Sequence, residues 1–389
     1  MARKGLKFDV ALCMGVLALV GLGLVLIYSS SAALAVGKGL PESFYLQQHF
    51  KKLVVGMIAL LVGMSVPYKF WERMAWPLLA VILCMLLYIV VTGVGRINGA
   101  SRWVFGIQPS EFGKLFLIIF LARRLTEKAA NMPYLGKGLI PSLIVPGVMM
   151  ALIVLQPNYS MVLMLCGITV AMVFAAGSRV KHLLLVSAAI LPLILLLLMT
   201  SSHSQKRIAA FFDPSANTGG SHQSQHALIS LGSGGLIGTG LGEGTQKLGY
   251  LPMPFTDTVF AILGEELGFI GTLGVLCLFG LVVWRGLRVA RSCPDGFGSL
   301  LAAGISVSIA ISVMVHVGVC VKFFPTTGQP LPFVSYGGTS LIVNLLAMGI
   351  LLNISETSAV PVEPPPPLVW RAARRTSPLR PFRPERGRA

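Results

Sequence analysis

Carboxylates are the scarcest reactive groups in this chain, and their placement narrows where chemistry can occur. Only 14 Asp and Glu residues stand among 389, against 31 Lys and Arg. Asp9, Glu72, Glu127, Asp295, Glu356, Glu363 and Glu385 fall in short basic segments or at the edges of apolar runs. Glu42, Asp213, Glu243 and Asp257 belong to the remaining polar segments, and Glu111, Glu265 and Glu266 lie at or within apolar stretches. A carboxylate embedded in such a stretch is costly, and by default it signals function or a buried pair.

Asp257 stands out. It follows Pro252 and Pro254 and directly precedes an apolar run. Partial desolvation there would raise its pKa and suit it to general-base work. An Asp before an apolar helix is also a common N-cap, so spacing alone leaves both readings open. Glu111 and Lys114, at i and i+3, can meet on one helix face as an ion pair or as part of a site. Glu265 and Glu266 are adjacent and cannot both face lipid, so one is expected to pair with a cation from another span.

Arg96, Arg102, Lys206, Arg207 and Lys247 put positive charge in the same polar segments. An anionic lipid headgroup such as a pyrophosphate would use them, Arg in bidentate fashion; interfacial snorkelling is the alternative. Other signals are weak. Gly238, Gly240, Gly242 and Gly244 follow no strand of a βαβ unit, so no dinucleotide site is implied. His222 and His226 have i, i+4 spacing but lack a third ligand. The six cysteines show no metal or redox spacing and are read as packing residues.

The elements that must position these groups are membrane helices. With 54% hydrophobic and 12% charged residues, and a mean hydropathy of +0.79, the chain departs far from soluble domains. Apolar runs at 9–31, 50–67, 75–95, 109–123, 138–156, 159–177, 182–200, 257–284, 298–324 and 336–354 predict about ten transmembrane helices. The fold class is therefore all-α and polytopic. The first run is too long for a signal peptide's apolar core and reads as a retained span. If the N-terminus with Arg3, Lys4 and Lys7 is inside, about 21 of the 31 basic residues fall on inner segments. Both termini are then cytoplasmic. A large extracytoplasmic loop, 201–256, separates spans seven and eight; its Gly and Pro content argues against continuous helix, with one turn or two at 222–231. Residues 1–355 form the membrane domain, and 356–389, Pro- and Arg-rich, read as a disordered cytoplasmic tail against the inner leaflet. Nothing suggests nucleic-acid binding.

Four ordered motifs carry a resemblance. NGASRW (98–103) with QPSEFGK (108–114), GLGEGTQKLGYLP (240–252), TDTVFAILGEELGFIG (256–271) and PTTGQPLPFVSYGGTS (325–340) are similar to the signatures of the SEDS family, most like its division type. Members polymerise lipid II on the outer face of the bacterial cytoplasmic membrane, releasing undecaprenyl pyrophosphate. The resemblance implies an inverting glycosyltransferase in which Asp257 is the base for the acceptor hydroxyl. It further implies that Asn98, Arg102, Trp103, Glu111, Lys114, Gln246, Lys247 and Ser335 bind substrate. Arg102, Lys114 and Lys247 are the cations expected at the pyrophosphate, with Glu111 holding Lys114. No cofactor is implied with certainty, and a divalent cation (Mg or Mn) on the pyrophosphate is left open. Implied partners are a class B penicillin-binding transpeptidase, other division-complex membrane proteins and membrane lipids, at the septum.

The chain departs from the family pattern at Met253-Pro254-Phe255, where relatives carry an acid and a His before the TD pair. That departure leaves a non-catalytic division scaffold as an alternative, and a lipid II flippase is a second. No half-to-half repeat of the transporter kind is evident.

Overall fold

The computed structural model describes residues 8–358 except 95, 98, 99, 102, 105, 187, 189–201, 213–218 and 253. Helices α1 (Val10–Gly37), α2 (Phe44–Ser65), α3 (Tyr68–Thr92), α4 (Pro109–Glu127), α5 (Ile140–Val154) and α6 (Tyr159–Ala175) come first. Then follow α7 (Ser202–Phe212), α8 (Gly219–Ser233), α9 (Val259–Ser292), α10 (Gly296–Cys320) and α11 (Gly338–Ser358). In the segment leading to α4, β1 (Arg96–Ile97) pairs antiparallel with β2 (Ala100–Ser101).

Helices α1 to α6 and α9 to α11 overlie apolar runs, although the seventh run, helical from residue 180, passes largely outside the described residues. Six segments among the described residues are long and apolar enough to cross a membrane: Val10–Gly37, Tyr68–Thr92, Leu135–Val154, Val259–Ser292, Gly296–Cys320 and Gly338–Thr357. The expected tail lies, from residue 359, outside the described residues. The chain is an all-α polytopic membrane protein.

The segment between the seventh run and α9 is more helical than its Gly and Pro content predicts. α8 has 15 residues where one or two turns are expected. Its Ser221, Ser224, Ala227 and Ser230 are buried, and this stripe of small side chains lets it dock closely on α9, with Ser230 Oγ donating to the Ala261 carbonyl at 3.0 Å. Tertiary docking here outweighs local composition.

α2 and α11 pack backbone to backbone. A Cβ at Gly349 would collide with the Leu60 carbonyl, and one at Gly63 would lie 2.7 Å from the Leu346 carbonyl. Small residues permit such approach where lipid offers no hydrophobic drive between helices. Asn353 seals one end of the pair, accepting from Tyr68 N at 2.9 Å and donating to the Met64 carbonyl at 2.8 Å.

Candidate active site

α9 supplies the frame of the site because it is broken. Gly268 adopts φ 67° and ψ −166°, inside a helix of 34 residues. A straight helix of that length would run roughly 50 Å, well beyond a hydrocarbon core of about 30 Å. The break frees backbone groups, and the glycine-dense segment takes them up. Phe269 N and Ile270 N donate to the Gly235 and Leu236 carbonyls at 2.9 and 3.0 Å, while Thr239 N and Gly240 N donate to those of Glu265 and Glu266 at 2.9 and 3.0 Å. Gly238, at φ 84°, sits so close that a Cβ would collide with the Glu266 carbonyl. Irregular backbone buried against protein in this way satisfies its own polar groups.

The two adjacent carboxylates divide the work. Glu265 Oε1 accepts from Thr245 N at 2.6 Å and Gln246 N at 3.2 Å, and Oε2 from Ser230 Oγ at 3.0 Å. Glu266 forms an ion pair with Lys247, Nζ to Oε1 2.6 Å, and Lys247 Nζ also donates to Ser29 Oγ of α1 at 2.9 Å. The cation paired with this carboxylate thus comes from the loop, not from another span as expected. Gln246 Oε1 lies 2.8 Å from His226 Nδ1. Gln246 and Lys247 therefore tie the loop to α8, α9 and α1.

Asp257 lies just before the first half of α9. Thr258, not Asp257, occupies the N-cap position, so the capping reading does not hold. The half-buried carboxylate has its pKa raised by desolvation, with Arg207 and a hydrogen bond involving Thr256 pulling the other way. Arg207 projects from α7 and donates from Nη1 to the Thr326 carbonyl at 3.0 Å. Burial lowers its own very high pKa, opposed by Asp257, and a guanidinium in that range stays charged at neutral pH. Gly328 of the same loop backs the carboxylate, since a Cβ there would stand 3.5 Å from Asp257 Oδ2. His316 of α10 anchors the loop through Nδ1, 2.8 Å from the Gln329 carbonyl.

The N-termini of α4 and α11 meet at Gln108, whose N–H donates to Thr339 Oγ1 at 3.3 Å. One turn into α4, Lys114 Nζ lies 3.2 Å from Glu111 Oε2, with both side chains under 5% exposed. Trp103 is half-buried beside the Val104–Ile107 bridge. Ser335 is buried, and its Oγ accepts from Leu331 N at 2.8 Å, closing the turn in which Phe333 takes φ 65°. Asn98 and Arg102 lie outside the described residues.

The Met253-Pro254-Phe255 departure has a visible counterpart from Phe255 onward. The Phe255 ring packs 4.9 Å from Tyr45 and 5.4 Å from Tyr336, centroid to centroid, and its carbonyl accepts from Tyr336 N at 2.8 Å. An aromatic clamp holds the segment leading into Asp257; Met253 lies outside the described residues.

Of the cations chosen from sequence, Lys114 and Lys247 are each bound to a glutamate. The one acting on Asp257 is Arg207, which was only one of several basic residues in its segment. Spacing could not select it, because 50 residues separate it from Asp257. Among the described residues no three His, Cys, Asp or Glu side chains converge on a metal-sized site.

Comparison with known proteins agrees with this layout. The sequence pattern of the FtsW/RodA/SpoVE family, described as a cell cycle protein, matches residues 10–359. The chain is 39% identical to the probable peptidoglycan glycosyltransferase FtsW of Trichlorobacter lovleyi, over 90% of this chain and 93% of that one. It is 38% identical to stage V sporulation protein E of Bacillus subtilis, over 92% and 100% respectively. A chain of a solved peptidoglycan synthase complex that coordinates polymerization and crosslinking superposes with a TM-score of 0.71 at 27% identity, covering 90% of this chain and 98% of its own. A polytopic helical chain matched by the family pattern along nearly its whole length belongs to the FtsW/RodA/SpoVE family.

Proposed function

We propose that this protein is a peptidoglycan glycosyltransferase that polymerises lipid II into glycan strands during cell division, with Asp257 as its base. The observation that carries the reading is the environment of Asp257. Its carboxylate is half-buried with raised proton affinity, it stands at the start of a braced half-helix, and the Arg207 guanidinium acts on it through space.

In the reaction, the acceptor's 4-hydroxyl oxygen attacks the anomeric carbon of the donor. The bond from that carbon to the phosphate oxygen breaks, and its electron pair leaves with undecaprenyl pyrophosphate. Asp257 takes the hydroxyl proton. Attack from the face opposite the leaving group inverts the anomeric centre. A carboxylate whose pKa sits above the ordinary range accepts a proton more readily than an exposed one, at the cost of a smaller ionised fraction. A pyrophosphate leaving group needs cations and N–H donors rather than a strong acid. Arg207 suits that role, and Lys114 and Arg102 are further candidates. Lys247 acts through the loop it braces.

This reading places the protein in the bacterial inner membrane at the septum, with both termini cytoplasmic. A class B penicillin-binding transpeptidase would crosslink its product, in keeping with the synthase complex whose chain it resembles. The test is polymerisation of purified lipid II by the protein with its cognate transpeptidase, beside Asp257→Asn. Long strands from the wild type and none from the variant support the assignment. Polymer from both would remove Asp257 as the base; polymer from neither, with the complex assembled, would point to a division scaffold.

A further inference from the structure

A second feature adjoins Asp257 through Arg207. Between α6, α7, α10 and the loop before Thr327 lies a cavity of about 350 Å³. Its walls are almost wholly apolar: Leu163 and Met164 from α6, Ile311 and Val315 from α10, Ile208 from α7, and Phe324. Among the described residues Arg207 is the one cation in its lining, and the same side chain reaches the Thr326 carbonyl and acts on Asp257. Ser160 Oγ closes one edge, donating to the Thr327 carbonyl at 3.2 Å.

A single cation set at the edge of an apolar chamber matches an amphiphile with an anionic head, since the head is held by a charge-assisted contact and the tail by burial. Two lipid-linked sugars meet in the proposed reaction, and they are not equivalent here. The donor's phosphate is one oxygen away from the carbon under attack, hence close to the base. The acceptor's phosphate is a whole disaccharide away from the hydroxyl that Asp257 deprotonates. We propose that this cavity holds the first isoprene units of the donor lipid, with Arg207 on its pyrophosphate. The assignment of an isoprenoid rather than an acyl chain rests on the glycosyltransferase reading.

Chemistry then links the pyrophosphate held by Arg207 to the carboxylate that Arg207 acts on through space. As the carbon–oxygen bond breaks, negative charge grows on the pyrophosphate and draws on the guanidinium. The pull that Arg207 exerts on Asp257 weakens as the carboxylate takes its proton. Arg207 thus couples departure of the leaving group to proton uptake.

The test uses the full chain in phosphatidylglycerol nanodiscs with a photo-crosslinking benzoylphenylalanine in place of Val315. Undecaprenyl pyrophosphate is added, the sample is illuminated, and the adduct is identified by intact mass. An adduct of the mass of undecaprenyl pyrophosphate is expected. It should fall about tenfold or more with Arg207→Gln, the loss of one charge-assisted contact, and also with Leu163→Trp, which fills the chamber and leaves Arg207 in place. An adduct of phosphatidylglycerol alone, or one unaffected by both variants, would overturn the proposal. Polymer from lipid II without the adduct sinks the cavity assignment only. The adduct without polymer sinks the glycosyltransferase reading and leaves a polyprenyl pyrophosphate site.

Discussion

The Lys247 ammonium lies 2.6 Å from the Glu266 carboxylate, and one hydrogen bond from Lys247 carries the link on to Ser29 in α1. Loop, broken helix and first helix are joined through a single buried cation. Removing either partner leaves an uncompensated charge in an apolar surround.

Lys247→Ala is therefore expected to destabilise the fold by about 3–5 kcal/mol, read as a lower unfolding temperature in detergent. The paired change Lys247→Met with Glu266→Leu should recover most of that loss. Were Lys247→Ala to keep its stability and lose only lipid II binding, the ammonium would be a substrate ligand instead of a brace.

Acid pH tests Asp257. Desolvation raises its pKa, so the acid limb of kcat/KM should lie above the region near pH 4 where an exposed Asp titrates. Arg207→Gln removes a cation that favours the ionised form, so the limb in that variant should move to still higher pH. The folded state holds this proton more tightly than the unfolded chain does. Acidification through the window thus costs no stability at Asp257, and a melting curve at each pH separates titration from unfolding. A limb that stays fixed when Arg207 is replaced would remove the electrostatic link.

Phe255→Ala should destabilise by about 3–5 kcal/mol, the usual cost of a buried Phe truncation, through loss of its contacts with Tyr45 and Tyr336. Because this clamp holds the segment entering Asp257, kcat should fall along with the unfolding temperature. Phe255→Tyr keeps the ring and should spare both. Unaltered turnover in a destabilised Phe255→Ala protein would show that the clamp contributes to the fold alone.

Gly238→Ala forces a side chain into a left-handed backbone against the Glu266 carbonyl. A cost of about 1–3 kcal/mol follows from the backbone conformation alone, and the clash adds to it. Activity should drop while membrane insertion, measured by membrane fractionation, is retained. Gly242→Ala has open space at its Cβ and tests backbone conformation without a clash.

Much of this was legible in the sequence, for definite reasons. Apolar runs report helices because lipid imposes both length and composition, so α1, α3, α10 and α11 fall where hydropathy places them. Asp257 stood out as a candidate because carboxylates are few and it follows Pro252 and Pro254. The Glu111–Lys114 pair was legible because its spacing is local. Partners distant in the chain were not. Arg207 comes within electrostatic range of Asp257 only through the course of α7 and the 325–330 loop, and Lys247 finds Glu266 only because α9 breaks. Ser335 carries a motif position, yet its hydroxyl serves a turn, which no pattern of residue types distinguishes from a ligand. The helix α8 was hidden because its small buried face resembles the composition of a loop.

The glycine-dense stretch before α9 looks like a flexible tether and behaves as a cast taken from the helix beside it. Its backbone meets that of α9 at four amide–carbonyl links spread across the break. Adding or removing one residue between Gly235 and Gly240 would put those links out of step, as it would in a strand inside a sheet. Its length is thus fixed by a neighbour, and epitope tags or reporter insertions belong in other loops.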